Sequence, residues 1–336
     1  MTTTTTEMYA IVFDRPADDT SASHVARLPV PTPGRDEIAI AVGFAGINFK
    51  DVMARRGDAG YVPGWPFVPG LEVAGTVTAL GADVTGFALG DAVVALTNAG
   101  GLAEIAVARA ALSVAVPDHV DLARAAAVPG ALTTAVLLLD DVARVRPGDA
   151  VLVHSAAGAV GRAVAQLASL RVGIDLFGCV GAASRTDAAH AAGYNYVAVR
   201  GERLADEVRS ATDGRGVDVV LDPQGTAWLD HDLDALAPGG RIVLFGNAGG
   251  AMLDPLPPTG RLYGANASVG GFSLAALSAA APQRVARAMS VALGHLGAGR
   301  VDVDVTVLDG LDGAPAAQQA LAEGRGAGKY VVRVAA

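Results

Sequence analysis

The stretch Ala150 to Ala168, A-V-L-V-H-S-A-A-G-A-V-G-R-A-V-A-Q-L-A, constrains the fold of this chain more than any other. An apolar run, Val151 to Val153, meets small residues and the glycines Gly158 and Gly161, then an apolar pattern of helical period through Val164 and Leu167. That order is strand, tight turn, helix. Such a turn lets backbone N–H groups at a helix N-terminus approach a diphosphate, where the helix dipole also favours negative charge. The pattern Ala156-x-Gly158-x-x-Gly161 is one glycine short of the dinucleotide fingerprint, so taken alone it fits an ordinary strand-to-helix bend equally well.

The surroundings narrow the choice. At 336 residues the chain exceeds the size at which one core keeps growing, so two domains are expected. A formal charge of −9, with no stripe of Lys or Arg, argues against a nucleic-acid partner. The single Cys179 can form no internal disulfide, and neither a leader nor a run of about 18 apolar residues is evident, which points to a soluble cytoplasmic protein without a membrane partner. The histidines are scattered, with no spacing that would place metal ligands on one face. Thr2 to Thr6 read as a disordered start.

The first third is β-rich. Strands are expected at Met8 to Phe13, Ile38 to Val42, Glu72 to Leu80, Ala92 to Leu96 and Ala103 to Ala108, separated by turn residues at the spacing of a small barrel-like domain. Gly43 is expected to end its strand and lead into a short helix carrying Asn48 and Asp51. From Asp121 the pattern alternates: a helix to Leu139 interrupted at Pro129-Gly130, then strands at Ala150, Leu176 to Ala182, Val217 to Leu221, Arg241 to Phe245 and Ala267 to Phe272. Helices at Thr186 to Ala192 and Glu202 to Thr212 fall between them, giving an α/β, doubly wound parallel sheet. The tail reads helix (Ala281 to Leu296), strand (Val301 to Leu308), helix (Ala314 to Glu323) and strand (Lys329 to Val334), and is expected to rejoin the β domain.

Together these pieces resemble the medium-chain dehydrogenase/reductase superfamily, in its zinc-independent quinone oxidoreductase and enoyl reductase branch. The resemblance rests on P-V-P-T-P-G-R-D-E, A-G-I-N-F-K-D-V, F-V-P-G-L-E-V-A-G-T-V, G-F-A-L-G-D-A-V, the Ser155 to Ala168 turn, D-V-V-L-D-P-Q-G, L-A-P-G-G-R-I-V-L-F-G and G-R-G-A-G-K-Y-V-V-R-V, in family order along nearly the whole chain. It implies a GroES-like β-barrel catalytic domain (1–122), an inserted Rossmann NADP(H)-binding domain (123–273) and a C-terminal return (274–336), with the active site in the cleft between. Zinc-dependent relatives carry Cys where Asn48 stands and His where Leu71 stands, so catalytic zinc is not expected here. A homodimer paired through Val269 to Phe272 is also implied.

Hydride transfer from nicotinamide to an enone, enoyl thioester or quinone needs orientation, and a donor near the oxygen where charge develops, more than a strong base. The resemblance puts Asn48 at the nicotinamide ribose or the substrate oxygen, although Asn is also a favoured helix cap. Asp51 would position Asn48 or a water, or else be an exposed helical carboxylate. Tyr61 is a candidate proton donor or a packing aromatic, and Lys50 reads as a solvated face residue. Cofactor contacts are expected from Thr134, from Ala156, Gly158, Ala159, Val160 and Gly161 in the turn, and from Gly246 and Asn247 at a later strand end. After the second Rossmann strand, Ser184 and Arg185 stand where an acid would repel a 2′-phosphate, so NADPH is favoured; Arg325 or Arg200 would add a second cation. The residues thus suggest a reductase of activated C=C bonds or quinones, with N-F-K-D leaning toward enoyl reductases. The other reading is a non-catalytic nucleotide-binding protein, a sensor or structural partner, favoured by Ala159 and by Val136 where relatives carry an aromatic.

Overall fold

In the first unit the core is built by alternation. A computed structural model describes residues 6–250, 253, 255–326 and 328–334; Thr2 to Thr5 of the threonine run and Ala327 of the G-R-G-A-G-K motif lie outside these. The chain divides into two compact units: one takes residues up to Thr133 and from Ser278 onward, the other runs Thr134–Leu277. These divisions lie beyond the expected ones, at 122 and 273.

In the first unit β1 (Glu7–Phe13) and β2 (Ser23–Pro29) form an antiparallel pair. The main sheet is assembled from β3 (Glu37–Gly46), β4 (Glu72–Leu80), β5 (Ala92–Leu96), β6 (Ile105–Arg109), β7 (Ser113–Ala115), β14 (Val305–Asp309) and β15 (Lys329–Arg333). Its order is β14-β15-β3-β4-β5-β7, with β6 also on β3. The inward residues Ile38, Ile40, Val42, Val73, Val77, Val93 and Ala95 are buried with Ile11, Phe13 and Val332 in one apolar cluster. Because β15 pairs antiparallel with β3, Val331 against Gly46, the last strand fixes the end of β3 and the start of the helix beyond it.

Two expectations change here. Strand β3 does not leave at Gly43; it shifts register between Val42 and Phe44 and continues to Gly46, so the bend is absorbed within the ladder. Strand β14 begins at Val305 rather than Val301.

In the second unit, β8 (Ala150–His154), β9 (Asp175–Val180), β10 (Tyr196–Val199), β11 (Val217–Asp222), β12 (Leu236–Leu244) and β13 (Ser268–Gly271) make a six-stranded parallel sheet ordered β10-β9-β8-β11-β12-β13. Strand order reverses between β8 and β11, the switch point at which such sheets bind ligands beyond their carboxyl ends. The expected β9 runs through Ala182; it ends at Val180. Strand β10 is absent from the expected set, because Y-V-A-V is short and comes after its helix without a turn signal other than Gly193.

The helix Leu122–Val142 is unbroken at Pro129-Gly130. It widens instead into π turns at Val128–Leu132 and Leu137–Val142, which absorb the proline without ending the helix. By length and mean hydropathy this helix could cross a membrane, although Arg124 and Asp140 interrupt any long apolar run; most of it is buried within the protein.

Candidate active site

Helix α1 (Phe49–Arg56) begins at Asn48, its N-cap. The cap is completed by Asp51, whose Oδ2 accepts the Asn48 N–H at 2.8 Å, while Asp51 N–H donates to the Asn48 carbonyl at 3.0 Å. The Asn48 side chain points elsewhere. Its Nδ2 donates to Glu72 Oε1 at 2.8 Å and to the Gly46 carbonyl at 3.2 Å, and its Oδ1 accepts from Lys329 Nζ at 2.7 Å. Lys329 also donates to the Ile47 carbonyl at 2.8 Å and lies 2.5 Å from Glu72 Oε1. The other Glu72 oxygen accepts the Gly130 N–H at 2.5 Å, from the π turn Val128–Leu132. A Cβ on Gly46 would come within 2.4 Å of Glu72 Oε1, and one on Gly130 within 2.9 Å of Oε2, so this polar knot needs both glycines. Asn48 was legible from the sequence; Glu72 and Lys329 were not.

Asp51 is buried, not exposed. Its Oδ1 accepts from Gly70 N–H at 3.1 Å, tying the loop before β4 to α1. Burial pushes its carboxyl up to about 6, against the downward pull of the Asn48 N–H, Lys329, Lys50 and the Gly70 N–H. Lys50 is half-buried rather than on a solvated face: its Nζ donates to the Asn98 carbonyl at 2.7 Å, and burial lowers its pKa, against Asp51. Tyr61 is half-buried, packed against the apolar cluster of the first unit; burial and Asp58 raise its phenol.

In the second unit, the turn after β8 is built as a cradle. Helix Ala159–Ser169 starts from Gly158 as N-cap, and its first backbone bond runs from Arg162 N–H to the Gly158 carbonyl. The N–H groups of Ala159, Val160 and Gly161 therefore precede the helical ladder, where a phosphate is best held. Ala156 is fully buried beneath them. A Cβ on Gly161 would lie 2.5 Å from the Ala156 carbonyl oxygen, so the turn closes only with glycine there. Ala159, at the first helical position, meets no such demand.

Gln224 bridges the switch point: its Nε2 donates to Ser155 Oγ at 2.9 Å and its N–H to Asp222 Oδ1 at 2.7 Å. Ser155 itself holds a left-handed φ of 55°. Below it His154 is buried, Nε2 2.8 Å from Asp232 Oδ1 and Nδ1 4.0 Å from Asp222 Oδ1. Burial depresses its pKa, but Asp232 and Cys179 outweigh that and hold it well above the usual histidine range, while burial raises Asp222 to about 6. Asn247 lies against Gly225, whose Cβ would sit 2.6 Å from its Oδ1, so the loops after β11 and β12 meet; Gly246 closes on the Pro223 carbonyl. Thr134 is buried in the long helix.

Ser184 is exposed and Arg185 half-buried, with its Nη2 donating to the Ala157 carbonyl at 3.3 Å. Arg325 is forked onto Glu323 in the first unit. Arg200, directly after β10, has its N–H on the Val180 carbonyl at the end of β9. Its guanidinium lies over Gly181 and 6.0 Å from the Trp228 ring, with Nε and Nη2 buried and unpartnered. A cation with free donors at the tips of β9 and β10 is a receptor for an anion.

Comparisons with known proteins agree with this layout. Residues 34–118 match the alcohol dehydrogenase GroES-like domain, and 159–291 the zinc-binding dehydrogenase family. The chain is 37% identical over 224 residues to human synaptic vesicle membrane protein VAT-1 homolog-like, covering 66% of this chain and 52% of that protein. It is 38% identical over 231 residues to the pikromycin polyketide synthase component PikAII of Streptomyces venezuelae, covering 68% of this chain and 6% of that one. The match thus spans about half or less of these curated relatives' own length. Among solved structures, the human VAT-1 homolog-like protein superposes with a TM-score of 0.86 at 30% identity, covering 99% of each chain. Escherichia coli quinone oxidoreductase complexed with NADPH superposes with a TM-score of 0.86 at 26% identity, covering 97% of this chain and 99% of that one. The two family matches and the superpositions over nearly the whole chain fix the family: the chain belongs to the medium-chain dehydrogenase/reductase superfamily, in its quinone oxidoreductase branch.

Proposed function

We propose that the protein is an NADPH-dependent, zinc-independent reductase that passes hydride to an activated C=C bond, in an enone or enoyl thioester, or to a quinone. The observation that carries the cofactor assignment is the pair of unpartnered Arg200 nitrogens at the tips of β9 and β10, beside the β9 end where Ser184 and Arg185 follow in place of an acid. The diphosphate is held by the N–H groups of Ala159 to Gly161, and the 2′-phosphate by Arg200 with Ser184 and Arg185 beside it. NADPH supplies the hydride when bound; the chain's residues bind and orient it. The NADPH bound by the E. coli quinone oxidoreductase supports this reading.

Zinc independence is supported by the donor set. At the Asn48 position a neutral amide meets the Lys329 ammonium at 2.7 Å, and Leu71 offers no ligand. A cation of the protein's own occupies the Glu72 carboxylate, so these residues do not fit a metal ion. N-F-K-D and the similarity to a polyketide synthase component favour acyl thioesters over simple quinones. Homodimerisation is proposed through β13, whose outer edge ends the sheet order among the described residues. A cytoplasmic location accords with the single buried thiol, Cys179.

The test is NADPH oxidation against a panel of enones, acyl-N-acetylcysteamine thioesters and quinones, with NADH in parallel. Turnover of one class with NADPH preferred is the expected result. NADPH binding with no oxidation across the panel would favour the non-catalytic reading, to which the full engagement of the Asn48 amide lends weight.

A further inference from the structure

The sequence holds only two lysines, Lys50 and Lys329, against a total of 25 basic Lys and Arg residues. Everywhere else the chain uses arginine for positive charge. Both lysines sit at the start of α1, in opposite environments. Lys329 is buried with three acceptors for its three N–H donors: the Ile47 carbonyl, Asn48 Oδ1 and Glu72 Oε1. With every donor spent and a carboxylate in contact it is structural. Lys50 has one acceptor, the Asn98 carbonyl at 2.7 Å, and no carboxylate in contact. Asp51, the acid nearest to it in sequence, spends its two oxygens on the N–H groups of Asn48 and Gly70.

The acceptor of Lys50 is rigidly held. Thr97 and Asn98 both donate their N–H groups to the Leu71 carbonyl, at 2.9 and 3.2 Å, and Thr97 Oγ1 donates to the Gly70 carbonyl at 2.8 Å. Gly70 in turn is tied to Asp51. The circuit α1, Gly70-Leu71, Thr97-Asn98 and back to α1 therefore fixes the ammonium two residues from Asn48. Beside it, Asn98 holds a left-handed φ of 62° and its Oδ1 is buried without a donor. Two ammonium N–H donors without a protein acceptor, next to an unsatisfied buried amide oxygen, form a polar site open to a ligand.

We propose that Lys50 is the general acid of the reaction, delivering the proton that balances the hydride. This rests on the reductase reading above. Hydride from NADPH adds two electrons to the electrophilic carbon and the π pair moves onto the conjugated oxygen. The Lys50 N–H bond then breaks toward the enolate, or toward the hydroquinone oxyanion, leaving NADP⁺, reduced product and a neutral amine that solvent reprotonates. Burial lowers the Lys50 pKa, the direction that favours proton donation, and raises that of Tyr61, the direction that opposes it. The charged group acting on it is Asp51 on its own helix; the segment Thr97 to Gly101, which supplies its acceptor, carries none.

Wild-type protein, K50M and K50R are assayed with NADPH against the same panel from about pH 6 to about pH 10. Wild-type kcat falls at high pH as the ammonium deprotonates. Replacement by Met or by the non-titrating Arg lowers kcat by about 10²-fold and abolishes that alkaline limb, with NADPH affinity by fluorescence titration unchanged. Reductive methylation with ¹³C-formaldehyde gives a lysine spectrum simple enough to titrate directly, and the Lys50 signal moves at lower pH than a free lysine. Variants that keep both wild-type kcat and its alkaline limb overturn the proposal, as does a Lys50 signal titrating like free lysine. If wild-type protein reduces nothing on the panel, the reductase reading falls and this one with it; active wild type with unaffected variants removes the Lys50 role alone.

Discussion

Lys329 Nζ lies 2.5 Å from Glu72 Oε1, and both side chains are buried. The pair joins the last strand, β15, to the start of β4, and through Asn48 and Gly130 it reaches α1 and the long helix. Removing one partner strands the other charge in a low-dielectric interior. K329M is therefore expected to destabilise the first unit by about 3–5 kcal/mol, whereas E72Q/K329M, which removes both charges, recovers a large part of the loss. Urea unfolding of the wild type, both single variants and the double variant measures this coupling directly.

The burial of Asp51 fixes the sign of a pH effect. An exposed aspartate titrates near 3.8, but in the native protein Asp51 keeps its proton up to about 6. Between those values the native state binds more protons than the unfolded state, so this group's contribution to stability falls as pH rises through the window and levels off above it. A shift of this size corresponds to about 2–3 kcal/mol. The difference in unfolding free energy between wild type and D51N should therefore change between pH 4 and pH 6 and be flat above pH 7.

Arg200 offers two buried, unpartnered nitrogens at the strand tips. Replacing it with leucine is expected to weaken NADPH binding by about 10- to 100-fold, the value of charge-assisted hydrogen bonds to a phosphate, and to leave NADH affinity unchanged. Fluorescence titration with both nucleotides reads the difference. Equal losses for the two would place Arg200 in the fold rather than at the 2′-phosphate.

Two substitutions in the cradle separate its demands. In G161A the new Cβ meets the carbonyl oxygens of Ala156 and Ser155, at 2.5 and 2.7 Å, so the turn must open and NADPH affinity should drop by about 5- to 150-fold, an overpacking cost of about 1–3 kcal/mol. In A159G the helix loses a methyl at its first position, where glycine costs only a few tenths of a kcal/mol, about 0.5 at most, and affinity should stay near wild type. Isothermal titration of both variants distinguishes steric closure of the turn from a general tolerance of small residues.

Local chemistry wrote much of the fold into the sequence. Apolar segments bounded by turn residues at Glu72–Leu80 and Ala92–Leu96 coincide with the strands residue for residue, as does the helix Thr186–Ala192. The misses have physical causes. Strand β10 is four residues long, too short for a period to register. Pro129-Gly130 reads as a break, but a π turn accommodates the proline and frees the Gly130 N–H for Glu72. Arg185 stands out because it comes just after a strand tip in the chain, whereas Arg200 reaches the same tip only through the pairing of β10 with β9.

The sequence by itself determined the order of strands and helices, the glycine turn after β8 and the family likeness, because periodicity, turn residues and steric need act between neighbours along the chain. Tertiary structure alone decided which charges meet. Asn48 and Lys329 are 281 positions apart and touch because β15 pairs with β3. It likewise made one lysine a satisfied counter-ion and left the other with donors to spare, since burial and partners depend on which elements pack together and on nothing that either lysine's neighbours in the chain record.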